Sequence, residues 1–359
     1  MANNSYKPAL QKLLTETKFV DFPGDIEKTL ATFDISDLAH TFVDTAFLVS
    51  AITFVGEERW IQGQNSTKEI VFAKFIKKLF KEELSPVRFL HEFFEESSLE
   101  GIAQASRNAV LIEDAVIKLA RRKTKEDLRV FSATALKLIS ELFELEHQLT
   151  MAKQELGLHL GLSLYRTFDK LDVVFNLDYL ADKGMVSPVE NTERLYEGAG
   201  VGVQSGYSTA VTALRYLNLK KGSRFIDLGS GYGRVGIVVG LMRPDVEVIG
   251  YEYVPHRVQI ATKAAQNLDI DKHVTFLVQD LSAPDFKIPL ADTYYIYDSF
   301  SDNTYNHVIS QLLEIAAQRK ITIVTKGNAR FRFETPEQRT KWSSPQELDN
   351  GNLCFFRSH

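Results

Sequence analysis

Between Phe225 and Gly236 the chain reads Phe-Ile-Asp-Leu-Gly-Ser-Gly-Tyr-Gly-Arg-Val-Gly, and no other stretch so narrows what it can fold into. A short apolar strand, Phe225 and Ile226, ends in Asp227. Gly229, Gly231 and Gly233 follow at alternate positions, and an apolar segment of helical period then begins with Val235, Ile237, Val238 and Val239. A residue without a Cβ lets the chain turn sharply and brings its backbone close to a ligand. Strand, glycine turn and helix in that order open a Rossmann-like α/β sheet, whose ligand sits at the carboxyl ends of the strands.

The strands downstream repeat the pattern. The dinucleotide form of the glycine turn needs a third glycine at position 234, where this chain carries Arg234. About twenty residues on, Val246 to Tyr251 reads as a second strand ending in Glu252, the spacing of a carboxylate that accepts ribose hydroxyls. A helical stretch from Arg257 to Leu268 leads to a third strand, Val274 to Val278, which ends in Gln279 and Asp280. A fourth, Thr293 to Tyr297, ends in Asp298, Ser299 and Phe300, and Lys320 to Thr325 makes a fifth. The turn Asp349-Asn350-Gly351-Asn352 before Leu353 to Phe356 predicts a closing antiparallel hairpin.

The alternate-glycine turn after an acid resembles the first motif of class I S-adenosylmethionine-dependent methyltransferases. That resemblance implies S-adenosylmethionine as cofactor. It places Asp227 toward the methionine ammonium, the Gly229, Ser230, Gly231 and Gly233 amides and the following helix N-terminus toward the carboxylate, and Glu252 with Tyr253 at the ribose. Asp280 with Leu281 would lie at the adenine, and Tyr196, Glu197 and Gln204, in the glycine-dense stretch 196–207, would fold over the methionine end. Asp298, Ser299, Phe300 and Tyr297 would face the methyl acceptor. A narrower likeness covers roughly residues 190–335. Tyr196-Glu197, Asp227 to Gly233, Gly250-Tyr251-Glu252 and the run Ile296 to Ser301 are similar to the non-SET protein lysine methyltransferases of the disruptor-of-telomeric-silencing type, which implies a protein lysine as acceptor. Where that family carries two asparagines before the phenylalanine, this chain has Asp298 and Ser299. Two other readings accompany it: a small-molecule or metal-assisted methyltransferase, the oxygens of Asp298, Asp302 and Asn303 being able to ligate a hard cation, and a regulatory or scaffold protein that binds the cofactor.

Composition sets the surroundings. The 359 residues suffice for two domains, with 44% hydrophobic and 25% charged residues. Residues 1–185 read as an all-α bundle for recognition or oligomerisation, and 186–359 as the catalytic domain, joined across Ala181 to Asn191. In the first region Val71, Phe75 and Leu79 share a face, and Leu138, Leu142, Leu145 and Leu149 form a stripe. Breaks at Phe22-Pro23-Gly24, Gly63 to Ser66, Ser85-Pro86, Ser97 to Gly101 and Thr124 predict about six to eight helices. Arg121 to Lys125, the densest basic run, reads as a solvated helix end. A net charge of −5 argues against a broad nucleic-acid face. No apolar run is expected to span a bilayer. One cysteine, Cys354, leaves no internal disulfide framework. The N-terminal residues lack a secretory pattern, so cytoplasmic residence is expected, or delivery into another cell by a signal of different form. Nothing in the sequence assigns an oligomeric state.

Overall fold

The computed structural model describes residues 6–16, 22–62, 99–155, 164, 166–184, 204–298 and 300–359. Contacts divide the chain into two compact units, Met1–Val174 and Phe175–His359. The division lies upstream of the boundary expected at residue 185, because Tyr179–Gly184, a 3-10 turn, bonds to the second unit through Asp182. The Val71, Phe75 and Leu79 face and the breaks at Gly63 to Ser66 and Ser85-Pro86 lie outside the described residues.

The first unit is helical. Its described helices are α1 (Tyr6–Thr15), α2 (Phe22–Leu30), α3 (Ile35–Gln62), α4 (Leu99–Ala120), α5 (Lys125–Glu155) and the short α6 (Leu171–Phe175), the last crossing the division. Caps set two of the starts. Asp34 accepts the Asp37 amide at 2.7 Å ahead of α3, and Thr124 accepts the Asp127 amide at 3.1 Å ahead of α5, each satisfying an amide that has no partner within the helix. Phe22-Pro23-Gly24 opens α2 and Gly101 lies inside α4, so glycine and proline there mark helix starts rather than gaps. The α3 helix packs along α4 and α5, where Phe42 lies 5.9 Å from Phe131. Its segment Ile35–Phe54 is long and apolar enough to cross a membrane, contrary to the sequence expectation, and 61% of that window is buried. A core helix packed on two neighbours needs that same apolar surface. Leu138 and Leu142 are buried as the stripe predicts, while the side chains of Leu145 and Leu149 lie outside the described set. Arg121 and Arg122 fall in the exposed turn after α4.

The second unit holds a seven-stranded sheet. After α7 (Tyr207–Leu217) come β1 (Arg224–Leu228), α8 (Arg234–Met242), β2 (Glu247–Glu252), α9 (Pro255–Asn267), β3 (Val274–Val278), β4 (Thr293–Tyr297), α10 (Asp302–Ala316), β5 (Thr322–Lys326), β6 (Gln346–Leu348) and β7 (Leu353–Arg357). Strand order is β3-β2-β1-β4-β5-β7-β6. The first five strands are parallel, β7 runs antiparallel to β5, and β6 pairs with β7 across Asp349–Gly351. Strands buried on both faces must be apolar throughout, which explains why β1 and β4 read as near-continuous runs. The chain goes outward from β1 to β3, then returns to the other side of β1 with β4. That reversal opens a crevice at the carboxyl ends of β1 and β4, the place where α/β sheets bind ligands.

Candidate functional site

The glycine turn forms one wall of this crevice. Gly229, Gly231 and Gly233 all have positive φ (85°, 54° and 78°), a backbone region unfavourable to other residues. A Cβ on Gly233 would also come within 2.7 Å of Phe276, and one on Gly250 within 2.5 Å of the same ring. The turn therefore lies pressed onto β2 and β3. Its amides face inward: Gly229 and Ser230 donate to the Tyr251 carbonyl at 2.9 and 2.8 Å, Gly233 to Ser230 at 2.8 Å, and Gly231 to Glu252 Oε2 at 2.8 Å. The resemblance assigned these amides to the cofactor carboxylate. In the structure each has a protein acceptor, because the turn bends back over the end of β2. Gln204 stands over it, its carboxamide 3.5 Å from where a Cβ of Gly231 would be. Tyr196 and Glu197 lie outside the described residues.

Two buried acids meet at the base of this wall. Asp227, the fourth residue of β1, is 3% exposed, and no donor reaches its carboxylate among the described residues. Burial, then the neighbouring Glu252 charge, pushes its carboxyl up to about 8. Glu252, the last residue of β2, is braced instead: Oε2 accepts the Gly231 amide, Oε1 the Val254 amide at 3.0 Å, and Arg257 approaches to 3.9 Å. Beside them the Ser230 hydroxyl is buried with no hydrogen-bond partner. A buried carboxyl without a donor and a buried hydroxyl without a partner suit a ligand that brings a cation and polar groups. An adenosyl sulfonium with its α-ammonium and ribose is such a ligand, and the residues present fit it.

The groups behind this wall belong to no motif. Arg234, singled out only as an interruption of the glycine pattern, is 1% exposed. Its guanidinium donates to the Ser205 carbonyl at 3.0 Å and lies 4.6 Å from the Tyr207 ring centre, a cation–π contact. Asp182 accepts from Tyr232 Oη and pairs with His256 Nε2, each at 2.7 Å, and accepts from Arg257 Nε at 3.2 Å and Nη2 at 2.8 Å. Burial would raise its carboxyl, but the hydrogen bonds from Arg257, Tyr232 and His256 outweigh that and hold it below the ordinary carboxylate range.

The ends of the other strands complete the crevice. Asp280, half-buried after β3, turns its carboxylate onto the amide and hydroxyl of Ser282, at 2.8 and 2.6 Å. Tyr253 is half-buried, whereas Leu281 belongs to the hydrophobic core. At the end of β4, Tyr297 and Asp298 are half-buried; Asp298 has φ 32° and accepts from Asn328 Nδ2 at 3.2 Å. Ser299 lies outside the described residues. Phe300 turns into the core, its ring 5.0 Å from Tyr305, so it contributes packing beneath the crevice. Asp302, proposed as an oxygen ligand, is paired with Arg332, and among the described residues no three metal-binding side chains cluster. The fifth strand, expected to end at Thr325, continues to Lys326, which is 2% exposed with Nζ 5.1 Å from the Tyr297 ring centre.

The chain was compared with protein families, curated proteins and solved structures. Residues 219–351 match a family model described as a methyltransferase domain. No curated protein matches the chain. Among solved structures, an RNA methyltransferase from Salinibacter ruber in complex with S-adenosyl-L-homocysteine is 19% identical, covering 44% of this chain and 92% of that one, at a TM-score of 0.34. A precorrin-6y C5,15-methyltransferase from Geobacter metallireducens is 14% identical over 43% and 88% of the two chains (TM-score 0.33). An S-adenosylmethionine-dependent O-methyltransferase from Thermotoga maritima is 16% identical over 42% and 63% (TM-score 0.32).

Proposed function

We propose that this chain, an S-adenosylmethionine-dependent methyltransferase, transfers its methyl group to a lysine side chain of a protein. The observation that carries the reading is Asp298: a half-buried carboxylate at the end of β4, the strand next to β1, steadied by Asn328. A lysine amine titrates near 10.4 and must lose its proton before its lone pair can attack. Asp298 would hold the arriving ammonium and pass its proton to water, with Tyr297 beside it. Asp227, once ionised, would face the cofactor's ammonium, and Glu252 its ribose. When bound, S-adenosylmethionine supplies a methyl group on a positively charged sulfur. The N–C bond would form as the C–S bond breaks, with the electron pair kept by sulfur. Alignment is then most of the protein's task, worth several kcal/mol.

The same reading assigns the helical region before residue 186 to acceptor recognition or oligomerisation, and cytoplasmic residence to the chain. Incubating the full chain with methyl-labelled cofactor and a cell lysate tests the acceptor. Label in a protein band that hydrolyses to methyl-lysine is the expected result. A second reading, a small-molecule oxygen acceptor, is favoured by Lys326, a buried N–H donor beside Tyr297 that matches an oxygen better than another amine. Label confined to the low-mass fraction would replace the first reading with the second. Activity lost with EDTA and restored by magnesium would point to its metal-assisted form.

A further inference from the structure

We infer that Asp182 is a positioning residue for cofactor capture, holding both the glycine turn and the ribose-facing Glu252 in place from behind. This rests on the adenosyl site assigned above. Asp182 belongs to no strand or loop of the crevice; it sits on the 3-10 turn Tyr179–Gly184, ahead of the sheet in sequence. Its carboxylate nevertheless gathers its hydrogen bonds from the two elements that frame the crevice. Tyr232 is the residue between Gly231 and Gly233, so its 2.7 Å bond to Asp182 ties down the tip of the turn. The Tyr179 ring meets Tyr232 edge-on with centroids 4.6 Å apart, which adds a packing contact to that tie. His256 and Arg257 lie in the first turn of α9, directly after the β2 end that bears Glu252.

Arg257 makes the second connection. Two of its nitrogens face Asp182, at 3.2 and 2.8 Å, and the third, Nη1, lies 3.9 Å from Glu252 Oε1. The order is acid, cation, acid, all three buried. Without Asp182, Arg257 would have Glu252 as its remaining carboxylate in this group and would draw it away from the Val254 and Gly231 amides. Glu252 would then meet a ribose diol in the wrong direction. A charge that fixes a binding group in advance reduces the ordering cost of binding, so its loss appears in affinity.

The test uses the full chain and S-adenosylmethionine itself, by titration calorimetry. Asp182→Asn keeps the volume but sets an amide N–H2 against Arg257. The expected result is affinity weakened about tenfold, or about 1.4 kcal/mol, with the number of sites per chain unchanged. A merely structural role would lower the binding-competent fraction and leave the affinity of the remainder intact, and that result would overturn the inference. In a double-mutant cycle with Glu252→Gln, the combined loss should fall short of the product of the single losses, and strict multiplication would also overturn it. Should Asp182→Asn not fold, Tyr232→Phe and His256→Gln each remove one partner while the Arg257 pair stays; each should weaken binding about twofold to threefold, and wild-type affinity in both would be decisive against it. Gly231→Arg separates the two layers. If it still binds the cofactor, the site itself is wrong; if it does not bind while Asp182→Asn binds normally, only the role of Asp182 falls.

Discussion

Asp227 and Asp182 are two aspartates of low exposure, 3% and 5%, that are driven in opposite directions. Asp227 has burial and a like charge beside it, and its carboxyl titrates at about 8. Asp182 has an arginine, a tyrosine hydroxyl and a histidine, and stays ionised below the ordinary range. Burial raises both carboxyls; around Asp182 the donors reverse that, and around Asp227 the Glu252 charge adds to it. One acid has its donors within the protein, while the other has none among the described residues.

The largest effect that would test this contrast is Asp182→Ala. It leaves Arg257 buried without its main carboxylate, so stability should fall by about 3–5 kcal/mol in urea denaturation. A change within 1 kcal/mol would mean that the cluster contributes nothing net. Next comes Asp227→Asn, which should weaken cofactor binding about 10- to 100-fold by removing one charge-assisted hydrogen bond, while the free protein at pH 8 is at least as stable as before. Equal destabilisation by both variants would erase the difference between the two acids.

A smaller effect is read in pH. In the free protein Asp227 keeps a proton that the unfolded chain gives up near 3.8, so between those values the folded state binds more protons. Stability should therefore drop as pH rises from about 4 toward 8, by at most about 1.4 kcal/mol per unit for one proton. Cofactor affinity should move the other way, because a cationic ligand favours the ionised acid, and should level off above pH 8. Asp227→Asn should flatten both curves. Asp182 contributes with the opposite sign: its stabilisation is complete above 3.8 and is lost only in stronger acid. The smallest effect belongs to Glu252→Gln. Removing its charge should bring the Asp227 inflection down by about one pH unit or less, visible as a shifted midpoint in the affinity profile; an unmoved midpoint would mean that burial alone raises Asp227.

The sheet was largely legible in the sequence because β1 to β4 are short apolar runs, each punctuated by a polar residue at its carboxyl end. Asp227, Glu252, Asp280 and Asp298 stand at those ends, where the spacing placed them. Three things were not legible. Asp182 lies in a tract without a motif, and its partners are tens of residues further on, so no local pattern announces the cluster. Arg234 looked like a flaw in a glycine motif because sequence shows identity and not burial; its stacking on Tyr207 depends on α7. Lys326 escaped because a charged residue after an apolar strand reads as the strand's end, whereas the Tyr297 ring lets the strand continue through it.

The inward-facing amides of the glycine turn have a consequence for how a ligand is received. A phosphate-type loop whose N–H groups point outward is pulled into shape by its guest, and part of the recognition goes into that folding. Here the bend is already closed on the β2 carbonyl and on Glu252, so the cradle stands ready-made. A donor altered at one atom should lose the full value of that contact, with no slack in the wall to absorb the misfit.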